Sequence, residues 1–304
     1  MKIAVLAGGV GGARFVRALT EVVDPPDVTV IANVGDDLEV HGLHVSPDID
    51  TLLYTLSGLG DDERGWGRAG ETWNASETIE LLGGETWFRL GDRDIGLHLV
   101  RSEALRAGEP LSAVTARVAR SVGLEITLLP ATDDRLRTKI RTPGGELDFQ
   151  DWFVARGHRD EVNEVVYEGA TTARPAPGVL EMLEAAELIA VAPSNPFVSI
   201  RPILAVRDIR TAIEVRRDRV VAVSPLIGGR AVKGPADRML ARLAGGTTPA
   251  HVASCYEGLI DVLVVDESDG LEAALPGLDR TVVTKTLMSD ASAARELAAA
   301  VVHA

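Results

Sequence analysis

Four aspartates lie close together in the first part of the chain: Asp36, Asp37, Asp48 and Asp50. Carboxylate oxygens are ligands that Mg²⁺ accepts in proteins, with waters and substrate phosphate completing its shell. Asp48 follows a Ser-Pro pair and could instead cap a helix. The adjacent carboxylates of Asp36 and Asp37 repel each other unless they share a cation. Metal or ligand contact is therefore favoured for Asp36 and Asp50 and is evenly balanced against capping for the other two.

A glycine-rich turn, GGVGG at 8–12, follows the apolar run IAVLA at 3–7. Glycines let backbone N–H groups approach phosphate oxygens, and the N-terminus of a following helix adds positive potential. A dinucleotide fingerprint beginning at Gly9 requires glycine where this chain has Arg14, and no Gly-Lys-Ser/Thr sequence of a P-loop follows. The turn is a candidate phosphate site of another type, and the alternative is a tight turn without a ligand.

Two later segments also combine small and polar residues after apolar runs. PSNP at 193–196 offers hydroxyl and amide groups, and SPLIGG at 224–229 offers backbone donors, with Lys233 close behind. Turn formation is the simpler role for both, but their positions after candidate strands favour nucleotide contact. The residues predicted to bind a nucleotide are Gly8, Gly9, Val10, Gly11, Gly12, Ser194, Asn195, Ser224, Gly228 and Lys233.

An arginine lies between two aspartates in LGDRD at 90–94. The planar guanidinium of Arg93 could bind a phosphate or an anionic heterocycle, although the residues alone favour a structural ion-pair network. Three tryptophans (Trp66, Trp73 and Trp87) occur in the same region and could stack on a flat ring, a role less common for tryptophan than core packing.

Strands and helices that would position these residues are indicated by the hydrophobic pattern. Strands are predicted at 3–7, 28–34, 188–192, 220–224, 261–266 and 281–284, and helices include 235–244 and 289–302. Alternating apolar strands and helices predict an α/β fold with a doubly wound, mostly parallel sheet. Ligands bind such sheets outside the carboxyl ends of the strands, where all of the polar segments above would lie.

The stretch 48–122 interrupts this alternation with helical stripes. The stripes consist of Ile49, Leu52, Leu53, Leu56 and Leu59, and of Leu111, Val114 and Val118. This spacing predicts a small, mostly helical insertion at 48–122, with the nucleotide-binding core formed by 1–47 and 123–304. A hairpin is predicted around 143–145, where Pro-Gly-Gly favours a turn.

Composition narrows the classes of function. The 304-residue chain has a net charge of −14 and only 4% aromatic residues, which argues against nucleic-acid binding. Binding a polyphosphate near these carboxylates would need a divalent cation. No apolar run is long enough for a membrane span. The single cysteine, Cys255, predicts a reducing cytoplasm.

These segments together resemble the 2-phospho-L-lactate transferase (CofD/FbiA-type) family of coenzyme F-420 biosynthesis. The matching pieces are AGGVGGARF (7–15), NVGDD (33–37), HGL and SPDIDT (41–51), ERGWG (63–67), ETWNA (71–75), LGDRD with HLVR (90–101), LLPATDDR (128–135), APSNP (192–196) and SPLIGG (224–229). They run nearly end to end in the same order, which is far more specific than one glycine motif.

The resemblance implies a Rossmann-like αβα sandwich and a Mg²⁺-dependent transfer reaction. A carboxylated phospho group would move from a guanosine-diphosphate-linked donor to the ribityl hydroxyl of the deazaflavin Fo, releasing GMP. The resemblance assigns Fo contacts to Asp50 and Arg93, with Trp66 and Asp92 as further candidates. For such a transfer, Mg²⁺ would be held by Asp36 and Asp50, with Asp37 or Asp48 as further ligands. A nearby carboxylate could accept the hydroxyl proton, and the sequence does not separate the base from the ligands. A homodimer is also expected.

The residue at position 10 indicates which acid the donor carries. Members that use a phospholactyl donor tend to have threonine in this glycine turn, whereas Val10 and NVGDD are more similar to the bacterial branch that uses phosphoenolpyruvate. One alternative is a non-catalytic nucleotide or nucleotide-sugar binding regulator of the gluconeogenesis-factor type, which shares the sheet and the glycine turn. An NAD-dependent oxidoreductase is disfavoured by Arg14.

Overall fold

The computed structural model describes residues 1–270, 275 and 277–304. Its strands are β1 (Ile3–Ala7), β2 (Val28–Ala32), β3 (Leu38–Val40), β4 (Leu43–Val45), β5 (Thr127–Pro130), β6 (Arg137–Thr142), β7 (Gly145–Asp148), β8 (Glu164–Glu168), β9 (Leu188–Val191), β10 (Val220–Val223), β11 (Leu226–Ile227), β12 (Arg230–Ala231), β13 (Val262–Asp266) and β14 (Arg280–Thr284). Its α-helices are α1 (Gly9–Leu19), α2 (Pro47–Leu56), α3 (Asn74–Leu81), α4 (Asp92–Arg106), α5 (Leu111–Ser121), α6 (Val179–Ala185), α7 (Arg201–Ala205), α8 (Arg207–Glu214), α9 (Ala236–Leu243), α10 (Pro249–Ser254) and α11 (Ala291–Val302).

Seven parallel strands form the central sheet, in the order β14-β13-β10-β9-β1-β2-β5. From β1 the chain moves outward through β2 and β5, and it then returns to β9 and moves the other way. The direction of winding therefore reverses between β1 and β9. The loops that leave these two strands diverge at this point and open a crevice at the carboxyl edge of the sheet.

Every residue of β1 and β2 is buried, because helices cover both faces of the sheet. Helix α1 packs against α2 and α11, and a second group is formed by α6, α7 and α8. Continuous apolar runs are the pattern expected for strands buried on both sides. The predicted α/β fold with a doubly wound, parallel sheet is confirmed.

All six predicted strands are present, but β2 ends at Ala32 rather than at residue 34. The side chain of Asn33 accepts a hydrogen bond from the N–H of Gly35 and turns the chain there. Strand β5 was not predicted, because TLLP is short, half-exposed and ends in proline. The predicted hairpin is confirmed as β6 and β7, and β8 extends it to a three-stranded antiparallel sheet.

Four helices, α2 to α5, occupy most of residues 48–122. Helix α2 packs against α1, and α5 packs against β5, so both ends of this stretch belong to the main core. The last residue of the predicted stripe, Leu59, lies outside the helix. Helix α2 ends at Leu56, and Gly58, with a φ of +68°, turns the chain before Leu59. The division into two units stays a prediction. Over the residues described, no helix has both the length and the apolar character needed to cross a bilayer.

Candidate functional site

The four predicted aspartates meet at the carboxyl edge of the sheet. Asp36 and Asp37 lie in the loop after β2, and Asp48 and Asp50 lie in the first turn of α2. Each is at most 7% exposed. Burial of four carboxylates is costly unless each finds hydrogen-bond donors or a cation, so their partners define what the site can do.

Asn33 connects this group to the rest of the edge. Its side-chain amide donates to Asp48 Oδ2 at 2.8 Å and to the carbonyl of Val198 at 3.1 Å, and it lies 3.4 Å from Asp36 Oδ1. The residue is fully buried. Asn33 therefore links the loops after β2 and β9 to helix α2.

Asp48 binds the glycine turn. Its Oδ1 accepts a hydrogen bond from the backbone N–H of Gly9 at 2.6 Å. A Cβ on Gly8 would lie 2.3 Å from Asp48 Oδ2, so glycine is required for this approach. Burial raises the pKa of Asp48 to about 6. Its carboxylate thus ties α2 to the start of α1, which is a different contact from the capping of its own helix.

Asp36 has the fewest strong hydrogen bonds of the four. Gln150 Nε2 lies 3.4 Å from its Oδ2, and the amide of Asn33 is equally distant from its Oδ1. Burial raises the pKa of Asp36 well above its ordinary value, and the negative charges of Asp48 and Asp37 raise it further. Asp36 is therefore the carboxylate best suited to hold a proton or to contact an added cation.

Asp37 is partnered on one oxygen only. Its Oδ2 lies 2.9 Å from His44 Nε2 and accepts a hydrogen bond from the Ser46 hydroxyl at 3.0 Å. Its Oδ1 is buried without a hydrogen-bond partner in the described part of the chain. An unpaired buried carboxylate oxygen is rare and calls for an explanation, such as a bound water or ion.

Asp50 forms a buried, bidentate ion pair with Arg101 of α4. His98 Nδ1 lies 3.8 Å from Asp50, and His98 Nε2 lies 3.3 Å from Asp94. The Tyr54 hydroxyl donates to Asp94 at 2.5 Å. A network of ion-pair and hydrogen-bond contacts therefore joins α2 to α4, and Asp50 connects this network to the other three aspartates.

Sequence reasoning did not single out Asn33, His44, Arg101 or Gln150 as functional residues. A signal for Arg101 was present, because Asp94, His98 and Arg101 are spaced by four and three residues and so share one face of α4. Gln150 gave no signal, since it reaches the site only through the fold of the β6–β7 hairpin.

The donor set suits Mg²⁺, which binds proteins through one or two carboxylates and takes its other ligands from water and phosphate. Asp36 and the unpaired oxygen of Asp37 are free for this role. Both oxygens of Asp48 and of Asp50 already accept hydrogen bonds. Within residues 1–270, 275 and 277–304, no three acidic, histidine or cysteine side chains converge tightly enough to hold a metal by themselves.

The glycine turn forms the start of α1. Gly9 has a φ of +69°, and a Cβ on Gly11 would lie 2.9 Å from the carbonyl of Pro193. The first N–H groups of a helix have no intrahelical acceptor, so those of Val10 and Gly11 remain available to a ligand. Ser194 braces the turn by donating to the carbonyl of Gly8 at 2.7 Å.

The other predicted nucleotide residues lie in the segments that follow β9 and β10. The Asn195 side chain accepts from the N–H of Phe197, and Ser224 accepts from the N–H of Leu226. Both shape their loops through turn contacts, which was the simpler of the two roles considered. Gly228, with a φ of +56°, lies in the β11–β12 turn, and Lys233 Nζ lies against Gly65. Nucleotide contact by these residues stays a prediction.

The predicted Fo residues of the insertion have local partners. Asp92 accepts hydrogen bonds from Thr72, Ala75 and Asn74, which lower its pKa to about 2. The side chain of Arg93 lies 3.5 Å from the carbonyl of Ala69.

Trp66 is 49% exposed, and the guanidinium of Arg64 lies 4.8 Å from its ring centre. The ring of Trp73 is 6.4 Å away. Like the Asp92 and Arg93 assignments, Fo contact by Trp66 stays a prediction.

A protein-family model for 2-phospho-L-lactate transferase CofD matches residues 3–304. The chain belongs to this family. The matched region includes the glycine turn, the four aspartates and the loops after β9 and β10.

Several curated proteins similar to this chain are named phosphoenolpyruvate transferase. The chain is 43% identical to a phosphoenolpyruvate transferase of Kitasatospora aureofaciens, over 98% of this chain and 96% of the relative. It is 46% identical to one of Streptomyces griseus subsp. griseus, over 88% and 86% of the two chains, and 42% identical to one of Nocardia farcinica, over 91% and 87%.

The fold is also found in solved structures. A crystal structure of protein BH3568 from Bacillus halodurans, a member of the UPF0052 family, superposes with a TM-score of 0.64 over 99% of this chain and 98% of that one. A second structure of the same protein gives 0.63 with 99% coverage of both. Identity is only 14% and 16%, so this similarity supports the fold alone.

Proposed function

We propose that this CofD-family protein transfers a phosphoenolpyruvyl group from a guanosine-diphosphate-linked donor to the ribityl hydroxyl of Fo, giving dehydro coenzyme F-420-0 and GMP. Family membership supports the transfer reaction. The names of the relatives and Val10 support phosphoenolpyruvate over 2-phospho-L-lactate as the donor acid. The observation that carries the proposal is the buried aspartate cluster beside the glycine turn.

The glycine turn and the start of α1 bind the donor's diphosphate. Phosphoryl transfer depends on positioning and on neutralising charge more than on covalent help from the protein. The free N–H groups of Val10 and Gly11 supply donors, and the helix N-terminus supplies positive potential. The loops at 193–196 and 224–229 lie farther along the same edge and face the guanosine.

Asp37 would hold Mg²⁺ through its unpaired oxygen, with waters and the phosphates of the donor completing the shell. When bound, Mg²⁺ supplies the positive charge that this acidic site otherwise lacks beside a diphosphate. His44 and Ser46 fix the orientation of Asp37, and Arg101 balances the charge of Asp50. Asp48 keeps the glycine turn in place through Gly9.

Asp36 accepts the proton of the acceptor hydroxyl. The hydroxyl oxygen bonds to the phosphorus that carries the enolpyruvyl group, and the bond from that phosphorus to the oxygen shared with GMP breaks. GMP leaves with the bonding electron pair. A carboxylate whose pKa is raised by burial is better matched to this proton transfer than an ordinary one.

The test compares the wild-type protein with Asp36→Asn, using Fo, Mg²⁺ and the guanylylated donor. We expect the variant to lower kcat by about 10²- to 10⁴-fold while Fo still binds in a fluorescence titration. Arg141→Gln changes an exposed arginine that pairs with Glu146 and Glu164, and it serves as the control.

Failure of the wild-type protein to form product with enolpyruvyl, lactyl or glyceryl donors would refute the proposal. Absence of saturable Fo binding would favour the nucleotide-binding regulator instead.

A further inference from the structure

Asn33 lies where the loops of three neighbouring strands meet. Strands β9, β1 and β2 are adjacent in the sheet, and Asn33 is the first residue after β2. Its backbone N–H donates to the carbonyl of Ala7 at 3.1 Å, and Ala7 directly precedes the glycine turn. The side chain is fully buried. A buried polar side chain at the edge where ligands bind calls for an explanation, and the steps proposed for the transfer do not use Asn33.

The amide of Asn33 is held in one orientation by its hydrogen bonds. Its Oδ1 accepts from the N–H of Gly35 at 2.8 Å, which leaves Nδ2 to point toward the other loops. An amide nitrogen has two N–H groups to donate. Its two shorter contacts are with Asp48 Oδ2 at 2.8 Å and with the carbonyl of Val198 at 3.1 Å. Asp36 Oδ1 is a longer third contact at 3.4 Å.

The bond to Asp48 continues to the glycine turn. Asp48 Oδ1 accepts from the N–H of Gly9 at 2.6 Å while its Oδ2 accepts from Asn33, so the carboxylate is bound at both oxygens. The terminal torsion of an aspartate is broad and does not fix the carboxylate plane by itself. Without the amide of Asn33, this plane could rotate, and the N–H of Gly9 would lose its aligned acceptor. The free N–H groups of Val10 and Gly11 follow directly in the chain, so their direction depends on this contact.

The bond to Val198 continues to the segment after β9. Val198 is 5% exposed and lies within the helical turn Pro196–Ile200. The next residue, Ser199, packs against the glycine turn, because a Cβ added to Gly8 would lie 3.0 Å from the Cβ of Ser199. Asn33 therefore connects the glycine turn to the segment that packs beside it.

We infer that Asn33 is a positioning residue for the donor. It fixes the glycine turn through Asp48 and the segment after β9 through Val198, so the backbone donors that face the diphosphate keep their spacing. An error of about 1 Å in the position of a reacting group can lower a rate about 10²-fold. The inference rests on the proposed function, and it assigns to Asn33 an effect through its neighbours rather than contact with the reacting atoms.

The experiment measures Kd for GDP with Mg²⁺ by isothermal titration calorimetry, and KM for the donor and for Fo in the transfer assay. The variants are Asn33→Ala, Asn33→Asp and the exchange of Asn33→Asp with Asp48→Asn. In the exchange, the amide at position 48 can donate to the carboxylate at position 33, and its oxygen can still accept from Gly9. Thr29→Val is the matched control, because Thr29 is a fully buried polar residue of β2 whose hydroxyl has no hydrogen-bond partner within the described residues.

Asn33→Ala should raise Kd for GDP and KM for the donor about tenfold, as expected for loss of a buried hydrogen bond to a charged group, and leave KM for Fo unchanged. A residue needed only for folding would not separate the donor from Fo in this way. Asn33→Asp should weaken GDP binding at least as much, because it places a second carboxylate against Asp48. The exchange should recover part of this loss, since it restores a hydrogen bond between the two positions. Thr29→Val should match the wild-type protein in all three constants.

A folded Asn33→Ala variant with the wild-type Kd for GDP, or with equal increases in KM for the donor and for Fo, would overturn the inference. If circular dichroism shows that Asn33→Ala is unfolded, the exchange variant decides. Tighter GDP binding than in Asn33→Asp supports the inference, and no gain overturns it. A wild-type protein that neither binds GDP nor forms product would refute the proposed function itself, which separates the two failures.

Discussion

At the scale of single residues, the site is a group of buried acids whose charges are balanced unequally. Asp50 has a full counter-ion in Arg101, Asp37 has His44, and Asp48 has amide donors. Asp36 has only long contacts. This inequality distinguishes Asp36 from the other three carboxylates, and it supports the proposed role of Asp36 as the residue that accepts the proton.

Arg101→Leu should destabilise the folded protein by about 3–5 kcal/mol, because it leaves the carboxylate of Asp50 buried without a counter-ion. Urea unfolding measures the loss. The double variant Asp50→Leu with Arg101→Leu removes both charges and should recover much of it. Equal stability of the double variant and the single variant would show that the ion pair is not the cause.

The stability of the protein should depend on pH through Asp48. Its pKa is about 6 when folded, against an ordinary value of 3.8, so the folded state binds this proton more tightly. Without Mg²⁺, the resulting stabilisation is complete below about pH 4 and is lost as the pH rises through about 6, a change of roughly 3 kcal/mol. Urea unfolding across this range should give a shallower decline for Asp48→Asn. Parallel curves for the two proteins would contradict the assignment.

At the scale of elements, the sequence predicted best what depends on local pattern. The buried strands read as unbroken apolar runs, and the glycine turn after β1 was located correctly. Strand β5 was missed because its four residues show little hydrophobic periodicity. They form a strand because they pair with β2. Gln150 and Arg101 reach the site through tertiary packing. Their spacing along the chain does not reveal these contacts until the positions of the surrounding helices and strands are known.

Gly96 inside α4 and Gly108 just after its end should respond oppositely to substitution by alanine. Gly96 is exposed inside the helix, and a Cβ there meets nothing within 4 Å, so Gly96→Ala should stabilise the protein by about 1 kcal/mol. Gly108 lies just after the helix end and also has open space around it, but its φ is +90°, a conformation that strains any residue with a Cβ. Gly108→Ala should therefore destabilise the protein by about 1 kcal/mol. Thermal unfolding measures both effects, and a shift of the same sign in the two variants would refute this account of α4.

At the scale of the whole molecule, the crevice at the carboxyl edge of the sheet has two sides. The glycine turn and the loops after β9 and β10 lie on one side of Asp36, and a cavity of about 420 Å³, bounded by β6, β7 and the α3–α4 loop, lies on the other. We propose that a divalent cation offsets the charge of a diphosphate beside this group of acids. The homodimer and the cytoplasmic location stay predictions, and sedimentation equilibrium tests the first.

The central claim is that one protein performs the complete transfer at this edge. The most direct measurement is mass spectrometry of a reaction containing the purified protein, Fo, Mg²⁺ and the guanylylated phosphoenolpyruvate donor. We expect one molecule of phosphoenolpyruvylated deazaflavin for each GMP released, and loss of both products in Asp36→Asn. GMP released without a deazaflavin product, or no reaction with any of the three donors, would contradict it.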